Sequence, residues 1–343
     1  MSVLRRLAAG VALGLTFAGT AMAQTVTLRF HSFIGANSYQ HVKFFDPWCA
    51  RIKEQSNGRL VCQMYPSMQL GGSPGALYEQ ARDGVVDIVY GNPGYSPGAY
   101  LAAEVFELPF MLNDVVNAGR AMWDAMGDNP GPEFKGLRLI AIAPSDFPIM
   151  QTTKKQIRTM EDLKGVKLRA AGRYGAKVLQ ALGALPIQMP AGEIVESLNR
   201  GVIDGSYLPW SAVGLLKIGD TIKYYTDFGD NQKRMYTSVQ IMAMGQGSYD
   251  RLPADLKKVI DDNRGVEPSA KFAEAFETTA QEEKKIARDK GANITILADA
   301  EYERWRKAAE PIIDEWVADA NKKGLDGKAL LERARQSVAK YAK

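Results

Sequence analysis

Along most of the chain, short apolar stretches of strand character alternate with longer segments whose apolar residues recur at helical spacing. Val26-Thr27-Leu28-Arg29-Phe30 alternates and is β-branched, a strand pattern, and His31 to Ser38 forms a polar, glycine-containing loop at its carboxyl end. A helix is predicted from about Tyr39 to Ser56, stopped by Asn57-Gly58, and then a strand from Arg59 to Tyr65. Gly71-Gly72-Ser73-Pro74 opens another helix, with Ser73 as cap and Pro74 at the first helical position. That helix stops at Asp83-Gly84. Val85 to Tyr90 reads as a buried strand, and Gly91 to Gly98 is a turn-rich loop at its carboxyl end.

The pattern repeats more tightly between Asp162 and Trp210, which reads as strand, helix, strand, helix, strand. Val166-Lys167-Leu168 is its first strand and Arg169 stands at the carboxyl end. Glu79, Gly84, Val85 and Asp87 recur at identical offsets as Glu196, Gly201, Val202 and Asp204. Two domains of similar build explain this echo; chance likeness between two helix-to-strand turns is the alternative. The period is too long for a solenoid.

Continued alternation argues for mainly parallel sheets. Leu137 to Ala143 is a strand expected to cross into the second domain, and Met235 to Ala243 a strand crossing back. A long charged helical region is predicted from Leu252-Pro253-Ala254-Asp255 to about Lys290, a short strand from Asn293 to Leu297, and an amphipathic helical tail from Ala300 in which Trp305 and Trp316 are packing residues. No low-complexity linker separates the domains, so the two strand crossings act as the hinge.

Composition narrows the class. The chain has 343 residues, 46% hydrophobic and 24% charged, suited to two globular domains. Arg5-Arg6, the apolar run Leu7 to Ala18 and Ala21-Met22-Ala23 read as a secretory signal peptide over residues 1–23, its apolar run well short of the ~20 residues of a membrane span. Removing it takes the formal charge from +4 to about +2 (4 minus 2), which points to neither nucleic acid nor an acidic membrane. The expected product is soluble and exported, without membrane insertion of its own. In an oxidising compartment Cys49 and Cys62 are either a disulfide between the first helix and the second strand or two separately buried thiols.

Catalytic signatures are scarce. His31 and His41 have no metal-like spacing, and no nucleophile elbow, P-loop or dinucleotide fingerprint follows a strand. Together with export and two α/β domains, this favours a binding protein over an enzyme. Open α/β sheets bind ligands outside the carboxyl ends of their strands, and an arginine there either clamps an anion or faces solvent. Arg169 is the leading candidate and Arg173, four residues on, either assists or is solvated. Tyr207 and Trp210 either wall an apolar part of a ligand or pack at the hinge. His31, Phe33 and Asn37, Asn92 and Tyr95, and Phe147 near the crossing complete the candidates, with backbone donors at Gly71-Gly72-Ser73.

The ordered set Gly71-Gly72, Glu79…Gly84-Val85-Val86-Asp87, Glu107-Leu108-Pro109-Phe110, Asp162-Leu163-Lys164-Gly165-Val166-Lys167-Leu168-Arg169, Gly201-Val202-Ile203-Asp204-Gly205 and Leu252-Pro253-Ala254-Asp255-Leu256 resembles the solute-binding subunits of tripartite ATP-independent periplasmic (TRAP) transporters, DctP type. The resemblance covers essentially the whole chain after the signal peptide. It implies a type II periplasmic binding fold of two α/β lobes with a hinge and a long helix spanning both. Lobe I would hold 24–146 and 233–267, and lobe II 147–232 and 268–343 with the spanning and C-terminal helices. It implies that Arg169 clamps a ligand carboxylate, that no cofactor is required (a metal ion accompanying the carboxylate, as in some relatives, is not predicted), and that the loaded protein docks on a membrane permease driven by an ion gradient. The sequence departs from dicarboxylate and sialic-acid binders of that family: Leu208 stands where they often carry asparagine, and Met150-Gln151 precede Thr152-Thr153 where some carry arginine. The expected ligand is a monocarboxylate of aromatic, branched or 2-oxo character. The alternatives are a sulfonate or other anion, or an exported hydrolase.

Overall fold

The alternation of strand and helix folds into two mixed sheets in the computed structural model, which describes residues 24–229 and 232–342. The expected signal peptide lies outside the described residues. Strand β1 (Val26–Ser32) leads through a π-helical turn at His41–Phe45 into α1 (Asp46–Gln55), then β2 (Leu60–Tyr65), α2 (Leu77–Arg82) and β3 (Ile88–Gly91). Asn57-Gly58 ends α1 in the left-handed region, as the sequence requires. Ser73 makes no capping bond, and Pro74 opens a short 3-10 turn before α2. The amides of Val85 and Val86 both bond the Gln80 carbonyl, which holds the chain in a turn, so β3 starts only at Ile88. Cys49 and Cys62 form a disulfide that ties α1 to β2.

Helix α3 (Val115–Met126), N-capped by the Asp114 side chain, and β4 (Leu137–Pro144) complete the first lobe's early half. The chain then enters the second lobe as β5 (Pro148–Thr152), the short α4 (Met160–Leu163), β6 (Lys167–Ala170), α5 (Arg173–Ala181), β7 (Leu185–Gln188), α6 (Ile194–Asn199), β8 (Gly205–Pro209), α7 (Ser211–Leu216) and β9 (Tyr224–Asp227). It returns with β10 (Val239–Gly245), α8 (Gln246–Asp250) and α9 (Ala254–Asp262).

The first sheet runs β2-β1-β3-β10-β4. The second contains β9-β5-β8-β6-β7, extended past β9 by β11 (Asn293–Ile296). In each, three parallel strands from one β-α-β-α-β unit abut an antiparallel strand supplied just after a crossing from the other lobe. Both β4 and β10 lie wholly within the first sheet, so the crossings fall between strands, at 145–147 and ahead of β10 at 232–238, rather than inside the two strands as expected. The crossings bond each other: Ser145 N donates to Ser238 O at 2.9 Å and Thr237 Oγ1 to Ser145 O at 3.0 Å.

The predicted long helix beyond Leu252 breaks at Gly265, whose φ of +129° is outside the helical region, giving α9 and then α10 (Val266–Asp289). At 1.5 Å per residue α10 is about 36 Å long. Its Phe272 and Phe276 pack with Phe44 and Phe45 in the first lobe, and its Ala280 and Ala287 in the second lobe's core. Helices α11 (Asp299–Ala309) and α12 (Pro311–Lys322) cover α5, with Trp305 and Trp316 fully buried. Helix α13 (Gly327–Tyr341) returns to the first lobe, where Ser337 Oγ donates to Ala121 O at 2.7 Å and Lys340 meets Asp124 at 2.6 Å. Assigning all of 268–343 to lobe II is thus corrected: the amphipathic face of α13 is buried on α3.

Candidate functional site

Strand β6 ends the second lobe's parallel core at the interlobe cleft, and Arg169, next to last in that strand, lies on the cleft lining. Arg169 as a whole is 2% exposed. Nε donates to the Met189 carbonyl at 2.9 Å, which fixes the group, while Nη2 has no hydrogen-bond partner among the described residues. A buried, unsatisfied donor on a charged group is costly, so it marks a place where an anion is stabilising. Across the sheet, Ser206 and Gln151, paired through β8 and β5, also leave Oγ and Oε1 without partners but lie off the cleft lining.

Two tyrosines stand beside it. Tyr207 on β8 and Tyr236 on the second crossing lie 5.8 Å apart between ring centroids, and both hydroxyls are buried without partners. Burial pushes both phenols far above their ordinary range, Glu107 adding to the shift at Tyr236 while Arg169 opposes it. Both therefore remain O–H donors at any physiological pH.

The first lobe supplies the opposite wall. Phe33 stacks on Tyr90 at 4.9 Å and meets Tyr95 edge-on at 5.3 Å, and Tyr39 meets Phe276 of α10 edge-on at 5.4 Å. Leu208, Pro209 and Ala212 face them from the second lobe. The cleft is an aromatic box with its positive charge on one side. The lobes touch around it: Ala191 N donates to Tyr95 Oη at 3.3 Å, Tyr39 Oη bonds Ser211 Oγ at 2.8 Å, and Gly94 and Gly172 approach so closely that a Cβ on either would lie 3.3 Å from the other's Cα.

Of the residues singled out from sequence, Arg169, Tyr207, Phe33, Asn92 and Tyr95 line this cleft. Asn92 also spends Oδ1 on the Gly94 amide at 2.8 Å, shaping its loop. The others do not reach it. Arg173 is saturated by Glu104 and Asp319, each at 3.2 Å, and by the Tyr174 hydroxyl at 2.7 Å. Trp210 stacks on Tyr225 at 4.7 Å and donates to Asp227 at 3.0 Å inside lobe II. His31 is held by Gln80 at 2.7 Å and by the Leu70 amide at 3.4 Å. Phe147 packs at the hinge under Arg234, and Asn37 and Gly71-Gly72-Ser73 are exposed away from the lining. Sequence reading missed Tyr39, Gln40, Tyr90, Tyr236 and Phe276. Only Tyr90 carried a usable signal, as the last apolar residue of a predicted strand.

Two buried acids flank the cleft. Burial, reinforced by Glu104, raises Glu107 to about 8; Oε1 accepts from Val239 N at 3.0 Å and Oε2 has no partner. Burial raises Asp146 on the first crossing to about 7, against the bonds it accepts from the Ser211 hydroxyl and amide. Among the described residues no group of three or more His, Cys, Asp or Glu could hold a metal ion, and no helix is long and apolar enough to cross a membrane. A wider groove on lobe II, lined by Lys217, Asp220, Lys223, Glu283 and Lys290, gathers none of the partnerless buried atoms.

The model of the DctP family, described as bacterial extracellular solute-binding protein family 7, matches residues 30–319. A TRAP solute-binding protein from Rhodoferax ferrireducens, solved with copurified benzoate, is 36% identical with a TM-score of 0.89, covering 92% of this chain and 98% of that one. A marine metagenome TRAP protein specific for aromatic acid ligands, solved with 3-hydroxybenzoate, is 33% identical with a TM-score of 0.90, covering 93% and 100%. A solute-binding protein from Verminephrobacter eiseniae is 26% identical over 97% of this chain and 96% of its own.

Proposed function

The chain belongs to the DctP family of bacterial extracellular solute-binding proteins and has the two-lobed type II fold of TRAP solute-binding proteins; from that premise we propose that its cleft captures an aromatic monocarboxylate. The observation that carries the reading is the buried guanidinium of Arg169, without an ion pair among the described residues, at one side of a box of aromatic rings. The carboxylate takes the free nitrogen of Arg169 and the hydroxyls of Tyr207 and Tyr236, charge-assisted bonds that strengthen as the closed lobes exclude water. The ring lies against Phe33, Tyr90 and Phe276, where offset and edge-on contacts suit an aromatic ligand. Leu208 and the aromatic walls provide no second cationic group, which argues against dicarboxylates.

Closure follows the hinge at 145–147 and 232–238, with α10 flexing between the lobes and the division 24–146 with 233–267 against 147–232 as the moving bodies. Tyr95, Tyr39 and Arg173 carry the contacts between them. The loaded protein then delivers the acid, in the periplasm, to the membrane permease of a TRAP transporter for uptake driven by an ion gradient. That two solved relatives hold benzoate and 3-hydroxybenzoate supports the ligand class.

A thermal-shift panel of benzoate, succinate, glucuronate and benzenesulfonate tests it, because a ligand that binds only the folded state raises the midpoint. Benzoate is expected to give the largest rise. A larger rise with succinate or glucuronate would remove the aromatic monocarboxylate reading, and one with benzenesulfonate would replace the carboxylate by a sulfonate.

A further inference from the structure

On the lobe I wall of the cleft, Gln40 is 3% exposed and its Oε1 accepts no hydrogen bond. The Tyr90 hydroxyl donates to Gln240 Oε1 at 2.6 Å. The Tyr39 and Ser211 hydroxyls bond each other at 2.8 Å. Gln40 Oε1 is left as an unpaired acceptor on a side chain that lines the cleft. The other amide oxygens on this wall are occupied, Asn92 Oδ1 by the Gly94 amide and Gln240 Oε1 by Tyr90.

The cleft is therefore two-ended: donors around Arg169 on lobe II and one unsatisfied acceptor among aromatic rings on lobe I. We propose that Gln40 is a specificity-determining residue that reads a ring hydroxyl of the ligand, so that hydroxylated aromatic monocarboxylates are preferred over unsubstituted ones. This rests on the aromatic monocarboxylate reading above. A buried polar atom built to bond a ligand hydroxyl is left stranded by the ligand that lacks it, and such sites discriminate far more strongly than a change in apolar contact.

Calorimetric titration of the wild type and Gln40→Leu with benzoate, 3-hydroxybenzoate and 4-hydroxybenzoate tests the assignment. The wild type is expected to bind at least one hydroxybenzoate roughly tenfold or more tighter than benzoate. In Gln40→Leu the preference collapses, and benzoate itself binds more tightly because its ring no longer strands an amide oxygen. Gln40→Glu keeps an acceptor, so it retains the hydroxyl preference while weakening all three anions, and it serves if the leucine variant does not fold. Benzoate and both hydroxybenzoates binding the wild type equally, or all three weakening equally in Gln40→Leu, would overturn the role of Gln40 and leave the aromatic acid reading intact. No binding of any of the three would end both.

Discussion

In lobe I the unit β1–α1–β2–α2–β3 places His31 next to last in its first strand; in lobe II the unit β6–α5–β7–α6–β8 places Arg169 at the same point. The equivalence is fixed by backbone bonds. Arg29 N donates to Asp87 and Lys167 N to Asp204, each at 2.9 Å, and each aspartate amide bonds back to the same residue's carbonyl. Two residues further along the strand the units part. His31 has both ring nitrogens engaged within its own lobe, by Gln80 and Leu70, whereas Arg169 keeps a terminal nitrogen free at the cleft. One scaffold thus yields a lobe that closes on itself and a lobe that offers charge. The division of labour lies in which side chain finds its partners internally.

Arg169→Ala breaks the comparison most severely. Benzoate affinity is expected to fall by on the order of 2–5 kcal/mol, the cost of truncating one half of a buried charge pair. His31→Asn, at the matching point, should change affinity only a few-fold while lowering the melting temperature. Calorimetry giving equal losses for the two would show that the lobes do not divide the work.

The junction between the lobes is sharpened by Glu107. Its folded value of about 8 lies above the ordinary 4.5, so across that window the folded chain holds a proton that the unfolded chain releases. Stability therefore falls as pH rises from about 4.5 to about 8 and levels off above. At about 1.4 kcal/mol for each pH unit crossed, Glu107→Gln should flatten this slope and be the more stable protein at alkaline pH by up to about 5 kcal/mol. Urea unfolding at acid, neutral and alkaline pH reads it, and an unchanged slope would count against a protonated Glu107.

The smallest expected effect is on the shared turn. Asp87→Ala and Asp204→Ala should each destabilise by about 1–3 kcal/mol, since each strands backbone or side-chain donors. For Asp87, burial alone would raise the carboxyl, but the Arg29 amide, the Ser248 hydroxyl and the Arg29 guanidinium outweigh it and hold it below the ordinary range. Its contribution is then present above the ordinary value of 3.8 and lost as pH falls through its lower folded value. A large difference between the two alanine variants would mean that the echo is only sequence deep.

Much of the fold was legible. The strands β1 and β2, the lobe II unit and the repeated turn declare themselves through period-two runs and through helices stopped by glycines at positive φ, as at Gly84 and Gly201. Strands β5 and β9 did not. One begins with Pro148 and the other has four residues, and both are strands only because partners flank them on both sides. In the site, Arg169, Tyr207, Phe33, Asn92 and Tyr95 were visible because strand ends and the loops after them converge on one edge of each sheet. Tyr39, Gln40 and Phe276 were not, since they reach the cleft from helices whose local pattern reads as ordinary amphipathic surface.

By itself the sequence determined the two repeated units, their turns and the arginine at a strand's end, all of which depend on residues close along the chain. Tertiary structure decided which of the two nearby arginines stays available. Glu104 and Asp319, remote in sequence, close on Arg173, while nothing among the described residues closes on the free nitrogen of Arg169. It likewise buried Trp210 on Asp227 and turned Gln40 toward the cavity. Hydrogen-bond satisfaction depends on every group within about 3 Å, however far apart in the chain, so no local pattern could have revealed which polar atoms are left for a ligand.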